Sequence, residues 1–210
     1  EVDELIIVDI TATKETRGPN FELIKEIADE CFMPVCYGGG ISSTEQMRTL
    51  FSLGIEKVAL NSHAMNNTNL INDAANRFGS QSIILSIDVK KNVFGKHIVY
   101  THSGTKKTKY DLKEYVKIVE DSGAGEVLLN SIDRDGTWDG FDIDMIKDVT
   151  DAVNIPVIAV GGAGNTQHIF DAVHNGGASA VALGSMAVYQ KKGMGVLIRF
   201  PKREDIINEL

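Results

Sequence analysis

Short apolar runs rich in β-branched residues recur along the chain. They are ELIIVD (4–9), PVCYG (34–38), KVALN (57–61), SIILSID (82–88), EVLLNSI (126–132), PVIAV (156–160) and SAVALG (179–184). Segments with helical periodicity separate them, among them NFELIKEIADE (20–30), TEQMRTLFSLG (44–54), DLKEYVKIVEDSG (111–123) and FDIDMIKDV (141–149). Runs that are apolar at nearly every position suit strands covered on both faces. Their alternation with amphipathic helices predicts a parallel sheet beneath a helical layer. Connections are short except at residues 90–110, which read as a hairpin-like insertion.

The pattern repeats at an offset of 122 positions, the distance from Pro34 to Pro156. Glu4 then falls on Glu126, LIIVDI (5–10) on VLLNSI, LIKEI (23–27) on MIKDV and VCYGGG (35–40) on VIAVGG. With a one-residue slip, VALNS (58–62) falls on VALGS (181–185). A βα unit cannot bury its own apolar face, so repeated units must close on each other. The expectation is an α/β fold, a (β/α)8 TIM barrel of two half-barrels, with residues 1–210 forming one domain. The second copy has a strand at 82–88, the insertion and a helix at 111–122 before Glu126, whereas nothing comparable precedes Glu4. The overlay therefore carries the expectation that the first βα unit, about 40 residues, is missing; adding it to 210 meets the ~250 typical of the barrel.

Composition narrows the function rather than the fold. The chain is 43% hydrophobic and 24% charged, ordinary for a globular domain. A net charge of −8 argues against an extended nucleic-acid surface but leaves room for a local phosphate pocket of backbone amides. Cys31 and Cys36 have no companions at metal-ligand spacing and read as a reduced core pair, with no metal or other cofactor and a cytoplasmic location. No apolar run reaches the ~18 residues of a membrane span and no signal peptide is visible. The five histidines (63, 97, 102, 168, 174) are scattered and read as solvated positions.

Barrel chemistry sits at the C-terminal ends of the strands. Two groups fall there. Glycine turns at 38–40 and 161–162, followed by Asn61–Ser62 and Gly184–Ser185, offer backbone N–H groups and polar side chains to an anion. Because the sets are repeat-related, they predict two phosphates across one mouth, on a ligand with two phosphates or a nucleotide. The second group is carboxylates. Asp88 ends a buried strand immediately before VKK, a credible general acid/base, and Asp9, Asp133 and Asp135 share its rim. Asp133 could instead pair with Arg134 or cap the next segment. Trp138 reads as a loop residue over the mouth. There is no Ser-His-Asp ordering and no HExxH. At the opposite ends of the strands, Glu4, Lys57 and Glu126 read either as an ion-pair plug or as a gate for something small.

The stretches DELIIVDITAT (3–13), YGGGI (37–41), EKVALN (56–61), FGSQSIILSIDVKK (78–91), GAGEVLLNSIDRDGT (123–137), IPVIAVGGAG (155–164) and GGASAVALGS (176–185) resemble the HisF family, the cyclase subunit of imidazole glycerol phosphate synthase. The resemblance implies an enzyme, a glutamine-amidotransferase-linked synthase whose barrel receives ammonia through its base from a HisH-like glutaminase. It implies Asp88 as the acid/base residue, Gly40, Asn61 and Ser62 at one phosphate, and Asp135, Gly136, Gly162, Gly184 and Ser185 at the other. Glu4, Lys57 and Glu126 match three of four gate residues, and the fourth, an arginine, lies on the first strand with a second catalytic aspartate. Residues 13–41 and 189–204 look more like a HisF-like branch of surface-polysaccharide synthesis. That branch works with a separate sugar amidotransferase to turn an N-acetyl group on a nucleotide-linked sugar into an acetamidino group. The first expectation is therefore the surface-sugar role. The alternatives are the histidine-pathway cyclase and a non-catalytic barrel that conducts ammonia.

Overall fold

Each predicted apolar run becomes a strand in a computed structural model that describes residues 2–201. The strands are β1 (Leu5–Val8), β2 (Val35–Gly38), β3 (Lys57–Leu60), β4 (Ile83–Lys91), β5 (His97–Thr101), β6 (Lys106–Asp111), β7 (Glu126–Ser131), β8 (Val157–Val160) and β9 (Ala180–Ala182). Seven of them form one parallel sheet in the order β1-β2-β3-β4-β7-β8-β9. Helices α1 (Phe21–Glu30), α2 (Thr44–Ser52), α3 (Ser62–Asn66), α4 (Asn69–Phe78), α5 (Leu112–Asp121), α6 (Ile143–Thr150), α7 (Thr166–Phe170) and α8 (Ser185–Val188) alternate with them. This is the arrangement of the α/β TIM-barrel fold. Among the described residues β1 pairs only with β2, and β9 only with β8. Residues 202–204 of the second divergent stretch lie outside the described residues.

Side chains alternate across a strand, and here the alternation separates two cores. Val35, Tyr37, Val58, Leu60, Ile83, Leu85, Val127 and Leu129 pack outward against the helices in one large cluster. Cys36, Ala59, Ile84, Leu128 and Ile158 form a second cluster on the inner face, with Ile6, Val160 and Ala182 against it. The cysteines are therefore not a core pair. Cys36 is fully buried inside the sheet, while Cys31 is half-buried at the end of α1 in the outer layer.

Helix starts follow local chemistry. Asn20, Ser43, Asp111, Asp142 and Asn165 each accept a backbone N–H from the first turn of the helix they precede, satisfying donors that the helix leaves unpaired.

The insertion is a β-hairpin. β4 runs on to Lys91, β5 pairs back along it with Tyr100 opposite Asp88, and β6 pairs with β5. Its far turn holds His102 and Ser103 in the left-handed region (φ 52 and 54) and folds toward the mouth. There the His102 N–H donates to Ser62 Oγ at 3.0 Å and the Ser103 hydroxyl donates to the Ile10 carbonyl at 2.8 Å. His97 at the start of β5 is not solvated as expected. Its side chain is only 10% exposed, with Nε2 3.3 Å from Asp142 Oδ2 and Nδ1 3.7 Å from Asp148.

Candidate functional site

The same alternation that builds the inner core stacks polar residues above and below it. Glu4, Lys57 and Glu126 share strand parity with the inner apolar cluster and lie at its base. Asn61, Asp88 and Asn130 share that parity at the top. Glu126 is opposite Ile84 on β4, and Asp88 is four residues further along, about 13 Å at the usual strand rise. One cavity of about 1230 Å³ touches Glu4 at one end and Asn61, Asp88 and Asn130 at the other.

At the base, the Lys57 ammonium bridges Glu4 Oε2 and Glu126 Oε1, each at 2.9 Å. All three side chains are about four-fifths buried, with exposures of 22, 24 and 19%. Burial works against the lysine's charge, yet the two carboxylates outweigh it and raise its pKa. The cation is thus firmly held between the two carboxylates.

At the top, Asp88 is half-buried. Its Oδ2 accepts from Asn61 Nδ2 at 3.0 Å and its Oδ1 from Asn130 Nδ2 at 2.9 Å. Burial raises its pKa, the two amides pull it back, Asp135 pushes it up again, and the net direction is upward. The lysines that follow it do not reach it. Lys91 forms a 2.9 Å ion pair with Asp142, and Lys90 approaches Asp133 at 4.0 Å. Asn130 was missed by the sequence reading, although a polar residue inside the apolar run EVLLNSI was the available signal.

The other rim carboxylates divide. Asp9 is engaged by Arg17 at 2.7 and 3.1 Å and by the N–H groups of Thr11 and Ala12, and Arg17 holds its carboxyl below the usual range. Asp133 neither pairs with Arg134 nor caps the following segment; it accepts the Lys91 N–H at 2.7 Å. Both fasten loops. Asp9 and Asp135 also line the cavity with Asp88, whereas Asp133 does not.

Of the predicted phosphate residues, Gly40, Asn61, Ser62, Asp135 and Gly184 line the cavity, while Gly136, Gly162 and Ser185 do not. Ser62 is only 7% exposed, and its hydroxyl accepts the His102 N–H. Asn61 gives its amide to Asp88. A Cβ on Gly162 (φ +111) would lie 2.2 Å from the Gly140 carbonyl, so this glycine is needed for loop contact. Gly184 instead faces open space. Trp138 is half-buried beside Gly164 and does not line the cavity. Among the described residues no group of three or more His, Cys, Asp or Glu is placed to hold a metal, and no helix is long and apolar enough to cross a membrane.

Comparison with known proteins adds what geometry cannot. The histidine biosynthesis protein family matches residues 1–193. A Pseudomonas aeruginosa protein named putative imidazole glycerol phosphate synthase subunit hisF2 is 46% identical over 201 residues, 96% of this chain and 80% of that protein. A Leptospira borgpetersenii protein named putative imidazole glycerol phosphate synthase subunit HisF is 43% identical over 98% of this chain and 81% of its own length. The Chlorobaculum parvum imidazole glycerol phosphate synthase subunit HisF is 45% identical over 88% of this chain and 73% of its own. With its parallel barrel sheet and inward polar layers, the chain belongs to the HisF family of histidine biosynthesis proteins.

Proposed function

We propose that the chain is the synthase subunit of an imidazole glycerol phosphate synthase-type complex. Ammonia from a HisH-like glutaminase enters at Glu4, Lys57 and Glu126 and is joined to a phosphorylated substrate at the mouth, where Asp88 moves the proton. Gly40, Asn61, Ser62 and the group Asp135, Gly136, Gly162, Gly184 and Ser185 hold the two phosphate ends. The observation that carries the reading is the continuity of one cavity from Glu4 to Asp88. A carboxylate with no cationic partner among the described residues and a raised pKa is suited to accept and return a proton. The names of the relatives, each an imidazole glycerol phosphate synthase subunit, favour the histidine-pathway reaction.

A second reading keeps the machinery and changes the acceptor to a nucleotide-linked N-acetyl sugar handled with a separate amidotransferase. The divergent stretches 13–41 and 189–204 favour it. The test is ammonium-driven conversion by the full-length protein, followed by mass spectrometry, with each substrate class offered in turn. Cyclisation of the ribonucleotide supports the first reading. Acetyl-to-acetamidino conversion, only with the second enzyme present, replaces it with the second. Turnover that belongs wholly to a partner refutes both and leaves a conducting barrel.

A further inference from the structure

Asp88 has only neutral hydrogen-bond partners. No lysine, arginine or histidine among the described residues bonds to it; two primary amides do, one on each oxygen. The amides come from different strands on either side of β4. Asn61 follows β3, and Asn130 on β7 is the direct register partner of Asp88. A carboxylate gripped at both oxygens cannot rotate about its terminal bond without breaking a hydrogen bond. Each oxygen also keeps a lone pair for a substrate proton.

We infer that Asn130 is a positioning residue, the second arm of an amide clamp that fixes the orientation of the Asp88 carboxylate. An amide cannot titrate or take the proton, unlike a lysine or histidine partner, so the clamp orients Asp88 without competing for what it transfers. It also opposes the two effects that drive Asp88 toward the neutral acid, burial and the nearby Asp135 carboxylate. With one arm removed, that drive has half its opposition.

Each arm also reaches a different part of the mouth. Behind Asn61, its Oδ1 lies 3.4 Å from Ser62 Oγ, which in turn holds the hairpin turn at His102. Behind Asn130, its Oδ1 lies against Gly161, where a Cβ would come within 3.3 Å of it. Asn61 thus belongs to the first glycine-turn set, while Asn130, within β7, packs beside Gly161 of the second, so the two arms tie Asp88 to different parts of the mouth.

The inference rests on the acid/base role proposed for Asp88, and the experiment separates the two. Aspartate carboxyl carbons are labelled in the full-length protein and titrated by 13C NMR, with Asp88→Asn identifying the Asp88 signal. In Asn130→Leu the Asp88 midpoint should rise by about one pH unit, the size expected for losing one hydrogen bond to a charged group. Asn61→Leu, an independent variant, should move it the same way. The acid limb of ammonium-driven kcat/KM should rise with the midpoint in Asn130→Leu. An unmoved midpoint in folded Asn130→Leu overturns the clamp. A moved midpoint with an unmoved acid limb supports the clamp and refutes the catalytic role of Asp88.

Discussion

Removing the Asp142 side chain should loosen the junction between the hairpin insertion and the start of α6, and the cost can be worked out contact by contact. Asp142 is 6% exposed and does three things. Its Oδ1 accepts the Met145 N–H at 3.2 Å and so caps α6, a contact whose loss costs about 1 kcal/mol. Its Oδ2 lies 2.9 Å from Lys91 Nζ, but that lysine is 37% exposed, so solvent limits the pair to about 1 kcal/mol or less. The nearly buried His97 ring lies 3.3 Å from the same oxygen and adds about another 1 kcal/mol. Asp142→Ala should therefore cost about 2–3 kcal/mol, or roughly 5–10 °C in Tm for a chain this size. Asp142→Asn keeps a good cap and should recover about 1 kcal/mol of the loss.

The pH dependence gives a second check. Burial alone would raise the Asp142 pKa, but His97, Lys91 and the Met145 N–H outweigh it and hold it well below the ordinary 3.8. A depressed folded-state pKa contributes stability that is present above the unfolded value and lost as pH falls through the folded one. The difference between wild type and Asp142→Ala, measured by urea unfolding, should be full at pH 7 and shrink below about pH 4. A difference under 0.5 kcal/mol at pH 7 (on the order of surface-substitution noise), or one that stays constant down to pH 3, would refute the contact accounting.

Three further outcomes follow from the site. Asp88→Asn keeps the carboxamide shape and should leave the unfolding midpoint near wild type while lowering ammonium-driven turnover by about 100-fold or more; an active, folded variant ends the acid/base assignment. Lys57→Met leaves Glu4 and Glu126 facing each other without their cation, and glutamine-driven turnover should fall more than ammonium-driven turnover; an equal fall in both assays refutes the gate. Gly162→Ala meets the Gly140 carbonyl at an unfavourable φ and should cost about 2 kcal/mol or more, whereas Gly184→Ala faces open space and should be close to neutral in thermal unfolding.

What was legible in the sequence is what a single strand or helix can express. The seven apolar runs and the helix-period segments between them are local patterns, and the sheet reproduces the runs in order. Which polar groups meet was not legible, because the partners lie far apart in the chain. Asp142 finds Lys91 across 51 positions, and Asp88 finds Asn130 across 42. Adjacent lysines suggested a charged neighbour for Asp88, yet the end of β4 leads them to Asp133 and Asp142 instead. Asp9 looked equivalent to Asp88 as a strand-terminal aspartate; Arg17, eight residues on, makes it a loop fastener.

One signal was present and underused. In β7 the inward positions are Glu126, Leu128 and Asn130, and in β4 they are Ile84, Ser86 and Asp88. A parallel pair in this register must set Asn130 beside Asp88, since a slip of one residue would turn both apolar runs inside out. Parity along each strand, combined with the register that burial enforces, is enough to place the amide on the carboxylate. The base follows by the same reasoning, because Glu4, Lys57 and Glu126 open their runs at inward positions. A barrel that puts charge at both ends of an apolar lining has paid a desolvation cost twice. Stability alone would favour apolar residues at those positions, so the two polar layers support the proposed passage of ammonia between them.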